Sequence, residues 1–238
     1  MTMATTAVDR SRVLVVDSQP HAAHQLTTML MDHGYVVRAA AEGQSALESF
    51  TAWCPDLLIT DLALRRLHGL ELCRRIRAQS NVPIIVLSAT SEDEIKIEAL
   101  DAGADDYVTR PFGHGELLAR VRATLRRSRG ESPAGSFDTG DFRVDIDARR
   151  VHVSGREVRL TPREFELFTF MARHPNRVLD HRRVLQAVWG RGSQQQPQYL
   201  HVFVGQLRKK LEPDPANPRY LVTEPWVGYK FMSEGLPR

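Results

Sequence analysis

Three apolar runs in the first half of the chain each stop at residues able to do chemistry. Leu57-Leu58-Ile59 leads into Thr60-Asp61, Val13-Leu14-Val15-Val16 into Asp17-Ser18, and Ile84-Ile85-Val86-Leu87 into Ser88-Ala89-Thr90. A fourth segment, Asp106-Tyr107-Val108-Thr109-Arg110-Pro111, adds a cation. A lone Asp after a strand is usually a helix cap. Four such ends in series are harder to dismiss. In an open α/β sheet the carboxyl ends of the strands share one rim, and that rim is where ligands bind. Two carboxylates, small hydroxyls and an arginine would meet there, with Asp61 placed to act as a nucleophile or acceptor.

The elements that must position these groups follow from pattern. The three runs read as strands buried on both faces of a parallel sheet. Pro20 opens a helix to about Asp32, and His33-Gly34 stops it. Residues 35–39 form a second strand and residues 43–53 a helix, with Ala46, Leu47 and Phe50 at helical spacing. Further helices cover residues 69–78, 92–101 and 113–127, with a short strand at 105–108. Strand and helix alternate five times. The expected fold class is α/β, a flavodoxin-like (βα)5 domain with sheet order 2-1-3-4-5.

A second domain follows. Residues 126–136 have linker composition, which sets the expected boundaries at 1–127, 128–136 and 137–238. Short strands and turns then run to Leu160. Thr161-Pro162-Arg163-Glu164 has the pattern of a capping box, and its helix should turn Phe165, Leu167, Phe168, Phe170 and Met171 inward. Asp180 caps a helix over 181–189, a polar loop spans 190–197, and a third helix covers 198–211. A terminal hairpin pairs residues 220–223 with 227–231. Three helices and a hairpin make a winged helix-turn-helix.

The third helix is amphipathic. Leu200, Phe203 or Val204, Leu207 and Leu211 form its apolar stripe. His201, Gly205, Gln206, Arg208 and Lys209 lie on the other side, as a helix offered to the major groove requires. Gln pairs with adenine edges, while Arg and Lys favour guanine or phosphate. Charge agrees: residues 1–127 hold 14 Lys+Arg against 16 Asp+Glu, and residues 128–238 hold 18 against 13. The basic half is the one expected to meet a polyanion.

No apolar run is long enough to span a bilayer, and Met1 to Arg10 lacks a signal-peptide core. A cytoplasmic protein with no membrane partner is expected. Cys54 and Cys73 form no metal-type pair and read as reduced packing residues.

These features together resemble the OmpR/PhoB family of response regulators. The carriers are the four strand ends, Ala99-Leu100-Asp101-Ala102-Gly103-Ala104-Asp105-Asp106-Tyr107, Pro111-Phe112-Gly113, Leu207-Arg208-Lys209-Lys210-Leu211-Glu212 and Gly228-Tyr229-Lys230-Phe231. Within the family the chain is most similar to the branch that regulates potassium-uptake operons, through Leu87-Ser88-Ala89, the run 99–107, Pro111-Phe112-Gly113 and Gly115-Glu116-Leu117, with Thr223-Glu224 and Tyr199-Leu200 adding to it. The resemblance covers nearly the whole chain. It implies that Asp61 accepts a phosphoryl group from a sensor histidine kinase, and that Asp17, Asp61 and the Ala63 carbonyl hold Mg2+. It also implies that the Ser88 hydroxyl reaches the phosphoryl oxygens and that Tyr107 is an aromatic switch. A homodimer through the fourth helix, fifth strand and fifth helix is implied, with Lys96, Asp101, Asp106, Glu116, Arg120 and Arg122 in reciprocal ion pairs around Ile95, Leu100 and Leu117. The loop at 190–197 matches a region that contacts RNA polymerase in relatives.

Three positions depart from the family. Ser18 replaces a carboxylate that binds metal directly, and a neutral hydroxyl is a poor ligand for a hard cation. Arg110 replaces a lysine, keeping charge but not shape. Weak Mg2+ binding and slow or absent phosphorylation are therefore expected. Arg110 either pairs with Asp61 and holds an active-like shape, or points to solvent above a passive scaffold. At the wing turn Pro225-Trp226 stands where many relatives have an Arg and a Gly, the Arg entering the minor groove; this argues against minor-groove readout by the wing and leaves Lys230 for phosphate. The alternatives are ordinary phosphorylation control, an Asp61-nucleophile phosphohydrolase, for which no second acid adjoins Asp61, and a flavin carrier, for which no phosphate-cradling loop is present.

Overall fold

A computed structural model of the chain describes residues 11–128, 135–190 and 197–235. They fall into two compact units, Met1–Leu125 and Arg126–Arg238.

The first unit alternates strand and helix: β1 Arg12–Val16, α1 Pro20–Asp32, β2 Val36–Ala40, α2 Gly43–Trp53, β3 Leu57–Asp61, α3 Gly69–Gln79, β4 Ile84–Ser88, α4 Asp93–Asp101, β5 Asp106–Thr109 and α5 His114–Ser128. The strands are parallel in the order β2-β1-β3-β4-β5, the expected flavodoxin-like order. Every residue of β3 and β4 is buried, which is why their sequences run apolar without alternating. Val13, Val15, Leu57, Ile59, Ile85 and Leu87 share one core with Leu26 and Leu30 of α1 and Leu117, Val121 and Leu125 of α5. Buried Ala46, Leu72, Ile76 and Leu100 belong to the helices α2 to α4. Arg77 fastens β4 to β5: it pairs with Asp105 at 2.7 Å, and the same carboxylate oxygen accepts the Ile84 amide at 2.9 Å. Cys73 is buried and its thiol is pushed up to about 12 by that burial. Cys54 is exposed at the left-handed end of α2, so the packing role expected of it falls to Cys73 alone.

The second unit opens with an antiparallel sheet of β6 Ser136–Thr139, β7 Phe142–Asp145, β8 Arg150–Val153 and β9 Arg156–Val158. Helix α6, Pro162–Ala172, starts with both bonds of the expected capping box. Then come β10 Val178–Asp180, α7 His181–Trp189, α8 Pro197–Leu211, β11 Leu221–Glu224 and β12 Gly228–Phe231. Phe142, Phe168, Phe231 and Tyr220 meet ring to ring, with centroids 4.8 to 5.6 Å apart. Phe170 was expected in this core but is half-exposed, because it sits at the edge of the α6 stripe.

The terminal hairpin carries a third strand that sequence did not announce. β10 pairs with β12, giving the order β10-β12-β11. Three residues are too few to show alternation, and Asp180 also serves as the cap of α7, accepting the Arg183 amide at 2.9 Å. Gly228 is required here: a Cβ would lie 2.0 Å from the Leu179 carbonyl oxygen.

Candidate functional site

The rim of the parallel sheet brings the predicted pocket residues together. Asp17 directly follows β1 and Asp61 ends β3; they are 1% and 8% exposed. Arg110 follows β5, and its amide donates to the Ser88 carbonyl at 2.7 Å, which fixes where its side chain starts. Its Nη2 donates to Asp17 Oδ2 at 2.6 Å and lies 3.6 Å from Asp61 Oδ2. Arg110 therefore turns inward rather than to solvent. Of the two readings left open from sequence, the inward one holds: Arg110 pairs with Asp61, and it adds a shorter bond to Asp17, which stands at the end of the adjacent strand. Ser18 Oγ donates to the Ala63 carbonyl at 3.0 Å. Asp17 Oδ1 accepts the Gln19 amide and Asp61 Oδ1 the Ala63 amide, each at 2.9 Å. Gly69 starts α3 against this rim, where a Cβ would stand 2.3 Å from the Asp61 carbonyl oxygen.

Ser88 and Tyr107 form the adjoining corner. Ser88 Oγ accepts the Thr90 amide at 3.3 Å, and the Tyr107 hydroxyl donates to the Thr90 carbonyl at 2.9 Å. Tyr107 is 3% exposed, its ring turned inward. Burial raises its pKa, the Ser88 hydroxyl pulls it back, and the charge of Asp61 adds to the rise.

The expected dimer face is more inward-looking than its sequence. Arg120 binds both oxygens of Asp106, at 3.1 and 3.0 Å, and Glu116 at 3.0 Å, all within one chain. Asp106 raises the pKa of that guanidinium. Lys96 is mostly buried and pairs with Asp93 at 3.3 Å. Asp101 and Arg122 are exposed. Leu100 and Leu117 are 0% exposed. They belong to the unit's own core and leave Ile95, half-buried, as the apolar residue available to a partner.

In the second unit α8 buries Leu200, Phe203, Val204, Leu207 and Leu211 and leaves His201 and Lys209 exposed. Gly205, Gln206, Arg208 and, on β12, Lys230 are half-buried. The basic end of α8 divides its labour. Arg208 donates to the Leu221 carbonyl at 2.9 and 2.6 Å and to Thr223 Oγ1 at 2.7 Å. Burial lowers its pKa. Lys210 pairs with Glu164 of the capping box at 2.5 Å. Glu212 takes three backbone amides, those of Arg219, Tyr220 and Leu221, at 2.7 to 2.9 Å. Lys209 makes no ion pair among the described residues, whereas Lys230 reaches Glu224 at 3.9 Å. His201 Nδ1 meets the Tyr229 hydroxyl at 2.5 Å, and its ring lies 5.4 Å from His181. Burial lowers the pKa of His201, and His181 adds to the effect.

Sequence reasoning missed Arg182 and Arg183, both exposed in the first turn of α7. A signal was present. The positive end of a helix dipole disfavours cations, so two arginines directly after a cap point to an anionic partner. Of the loop expected to contact RNA polymerase, residues 191–196 lie outside the described residues, as do 129–134 of the expected linker and 1–10 of the tail. No described helix is long and apolar enough to cross a membrane.

The geometry defines a receiver-type rim in one unit and a winged helix in the other, and comparison with known families agrees. Residues 13–122 match the response regulator receiver domain and residues 155–231 match the transcriptional regulatory protein C-terminal domain. The chain belongs to the response regulators of the OmpR/PhoB type. It is 44% identical over 223 residues to the KDP operon transcriptional regulatory protein KdpE of Escherichia coli strain K12, covering 93% of this chain and 99% of that one. It is 40% identical over 221 residues to the DNA-binding response regulator MtrA of Mycolicibacterium smegmatis, covering 93% and 96%. Among solved structures it is similar to DrrB of Thermotoga maritima, an OmpR/PhoB homolog, with 30% identity, a TM-score of 0.51, and coverage of 94% and 99%.

Proposed function

We propose that the chain is a DNA-binding transcriptional regulator whose phosphoacceptor pocket is held shut by its own arginine. The observation that carries this reading is the Arg110 guanidinium, 2.6 Å from Asp17 and 3.6 Å from Asp61. Receiver domains typically use Mg2+ at this rim. The donors here do not fit it. Both Asp17 oxygens and Asp61 Oδ1 accept hydrogen bonds, Asp61 Oδ2 faces the guanidinium, and the Ala63 carbonyl takes the Ser18 hydroxyl. A divalent ion prefers charged oxygens, and here a positive charge already stands among them. Asp61 is then a poor phosphoacceptor, and control passes to something other than a kinase.

DNA binding rests on α8 and its surroundings. Lys209 and His201 are exposed on the helix, Lys230 flanks it on the wing, and Arg182 and Arg183 begin α7. We assign Gln206 to the major groove and Lys209, Arg182, Arg183 and Lys230 to phosphate, with Gly205 allowing close approach. A homodimer through α4, β5 and α5 fits the exposed Asp101, Glu116 and Arg122. RNA polymerase is the partner the family implies, and the protein acts in the cytoplasm. Asp61 has no enzymatic role in this reading.

Incubation with acetyl phosphate and magnesium, followed by mass measurement, tests the pocket. The wild type should gain no phosphoryl group while a Ser18→Asp/Arg110→Lys variant gains one. Prompt stoichiometric gain by the wild type would overturn the proposal. It would favour the second reading, conventional phosphorylation of Asp61 by a sensor histidine kinase, which draws on the placement of Ser88 and Tyr107 at the same rim.

A further inference from the structure

The wing carries an apolar group that the fold does not use. Trp226 is 101% exposed and its neighbour Val227 is 51% exposed. Pro225 and Trp226 are the central residues of a turn closed by the Val227 amide on the Glu224 carbonyl at 3.1 Å. Pro suits the first central position of such a turn, and the second, with positive φ, is normally glycine. Trp226 sits there at φ 67°. A bulky side chain in that backbone region is strained by about 1 kcal/mol, and a fully exposed indole returns no burial to offset it. Strain of this kind collects where a side chain meets a ligand.

The tip is also held in place. Arg208 ties β11 to α8, and the Tyr229 hydroxyl ties β12 to His201 on the same helix. Wherever α8 docks, the tip must follow. Cations stand on the elements joined to this tip: Lys230 on β12, exposed Lys209 next to Arg208 on α8, and exposed Arg182 and Arg183 just past Asp180, which pairs with Gly228. An aromatic ring on a rigid point beside cations fits a surface that alternates apolar walls with phosphates. The minor groove next to a bound major groove is such a surface, and side chains that wedge between its base steps unstack them and bend the duplex.

We infer that Trp226 is a minor-groove wedge that inserts its indole beside the tract bound by α8, favouring readily unstacked pyrimidine–purine steps there. The inference rests on the DNA-binding reading above and deepens it. It replaces an arginine contact with an aromatic one, so selectivity at that flank comes from deformability rather than from groove potential.

The test uses the full-length protein and duplexes enriched by it from a random pool. Trp226 is the exposed member of three tryptophans; Trp189 is buried and Trp53 half-buried. The fluorescence component absent from Trp226→Gly should be quenched by iodide in free protein and shielded in the saturated complex. Trp226→Gly removes the ring while relieving the turn, so the variant folds. Its affinity for the enriched duplexes should fall about tenfold, the scale of a lost aromatic–base stack, with preference at the flank erased. Trp226→Phe should fall less. Undiminished iodide access in the complex, or wild-type affinity and preference in Trp226→Gly, overturns the inference and leaves the DNA-binding reading intact. Shielding by anionic phosphatidylglycerol vesicles but not by duplex also overturns it. If the wild type enriches no duplex, both readings fall together.

Discussion

Arg110 and Arg208 use the same side chain in opposite ways. In the first unit the guanidinium spans two carboxylates that are almost wholly buried. In the second it spans a carbonyl and a hydroxyl, both neutral. The difference decides what each arginine leaves behind. Arg110 cancels charge at a rim where the family works with charge. Arg208 spends its donors on the wing, and its positive charge, set against neutral acceptors, still adds to the field that α8 offers a polyanion. A cation's role is thus read from what it touches rather than from the motif that contains it.

Arg110→Ala is the strongest way to break this contrast. Removing one partner of a buried pair strands the other, at a cost of about 3–5 kcal/mol. The first unit should lose that much in urea unfolding at neutral pH. Arg208→Ala strands no charge and should lose clearly less from the second unit. Equal losses would remove the distinction between a neutralising arginine and a bracing one.

Glu212 sharpens the contrast from the acidic side. Its carboxylate is 7% exposed and is held by three backbone amides rather than by a cation. Hydrogen bonds to a charged group contribute about 1.5–3 kcal/mol each, and orphaned amides add to the loss. Glu212→Ala should therefore destabilise the second unit by about 3 kcal/mol, again read in urea. A loss within the scatter of surface substitutions would mean that water replaces the carboxylate at those amides.

What sequence made legible follows the same division. The five strands and their order were readable because the three central parallel strands leave unbroken apolar runs and helices alternate with all five. The pocket was readable because Asp17, Asp61 and Ser88 each follow such a run within two residues, and Arg110 closes the short segment that alternates with them. β10 was not, since three residues carry no period. Nor was the burial of Leu100 and Leu117, because helical spacing says that a face is apolar and not which neighbour covers it. In the phrase Leu207-Arg208-Lys209-Lys210-Leu211-Glu212, four charges look alike in sequence. The fold turns Arg208, Lys210 and Glu212 to structure and leaves Lys209 to the solvent. Sequence had placed Arg208 and Lys209 together as readers.

Lys209 and Arg208 can be separated on DNA. Lys209→Ala should weaken binding evenly across duplex sequences and lower the slope of log affinity against log salt by about one, as for a lost phosphate contact. Arg208→Ala should instead shift the wing, changing which duplexes are preferred. Binding measured on the enriched duplexes over a range of salt distinguishes them. A Lys209→Ala slope identical to wild type would place that ammonium off the backbone.

The smallest expected effect concerns His201, where the wing meets the helix. Its pKa lies below the ordinary 6.5, chiefly through burial and secondly through His181. The groups facing it are the His181 ring at 5.4 Å and the Tyr229 hydroxyl at 2.5 Å, and Arg208 stands over the Tyr229 ring at 5.9 Å. Protonation would put an imidazolium against a second imidazole and a guanidinium. Because the folded pKa is the lower one, the unfolded chain binds the proton first as pH falls. Stability from this site is full above the unfolded value and is lost as pH drops through 6.5 toward the folded pKa. The urea midpoint of the second unit, followed through buried Trp189, should fall between about pH 7.5 and about pH 5.5 by more in the wild type than in His201→Gln. Equal falls would show that the ring sheds its proton no more readily in the folded unit than in the open chain. The coupling of helix to wing would then rest on Arg208, whose charge does not titrate in this range.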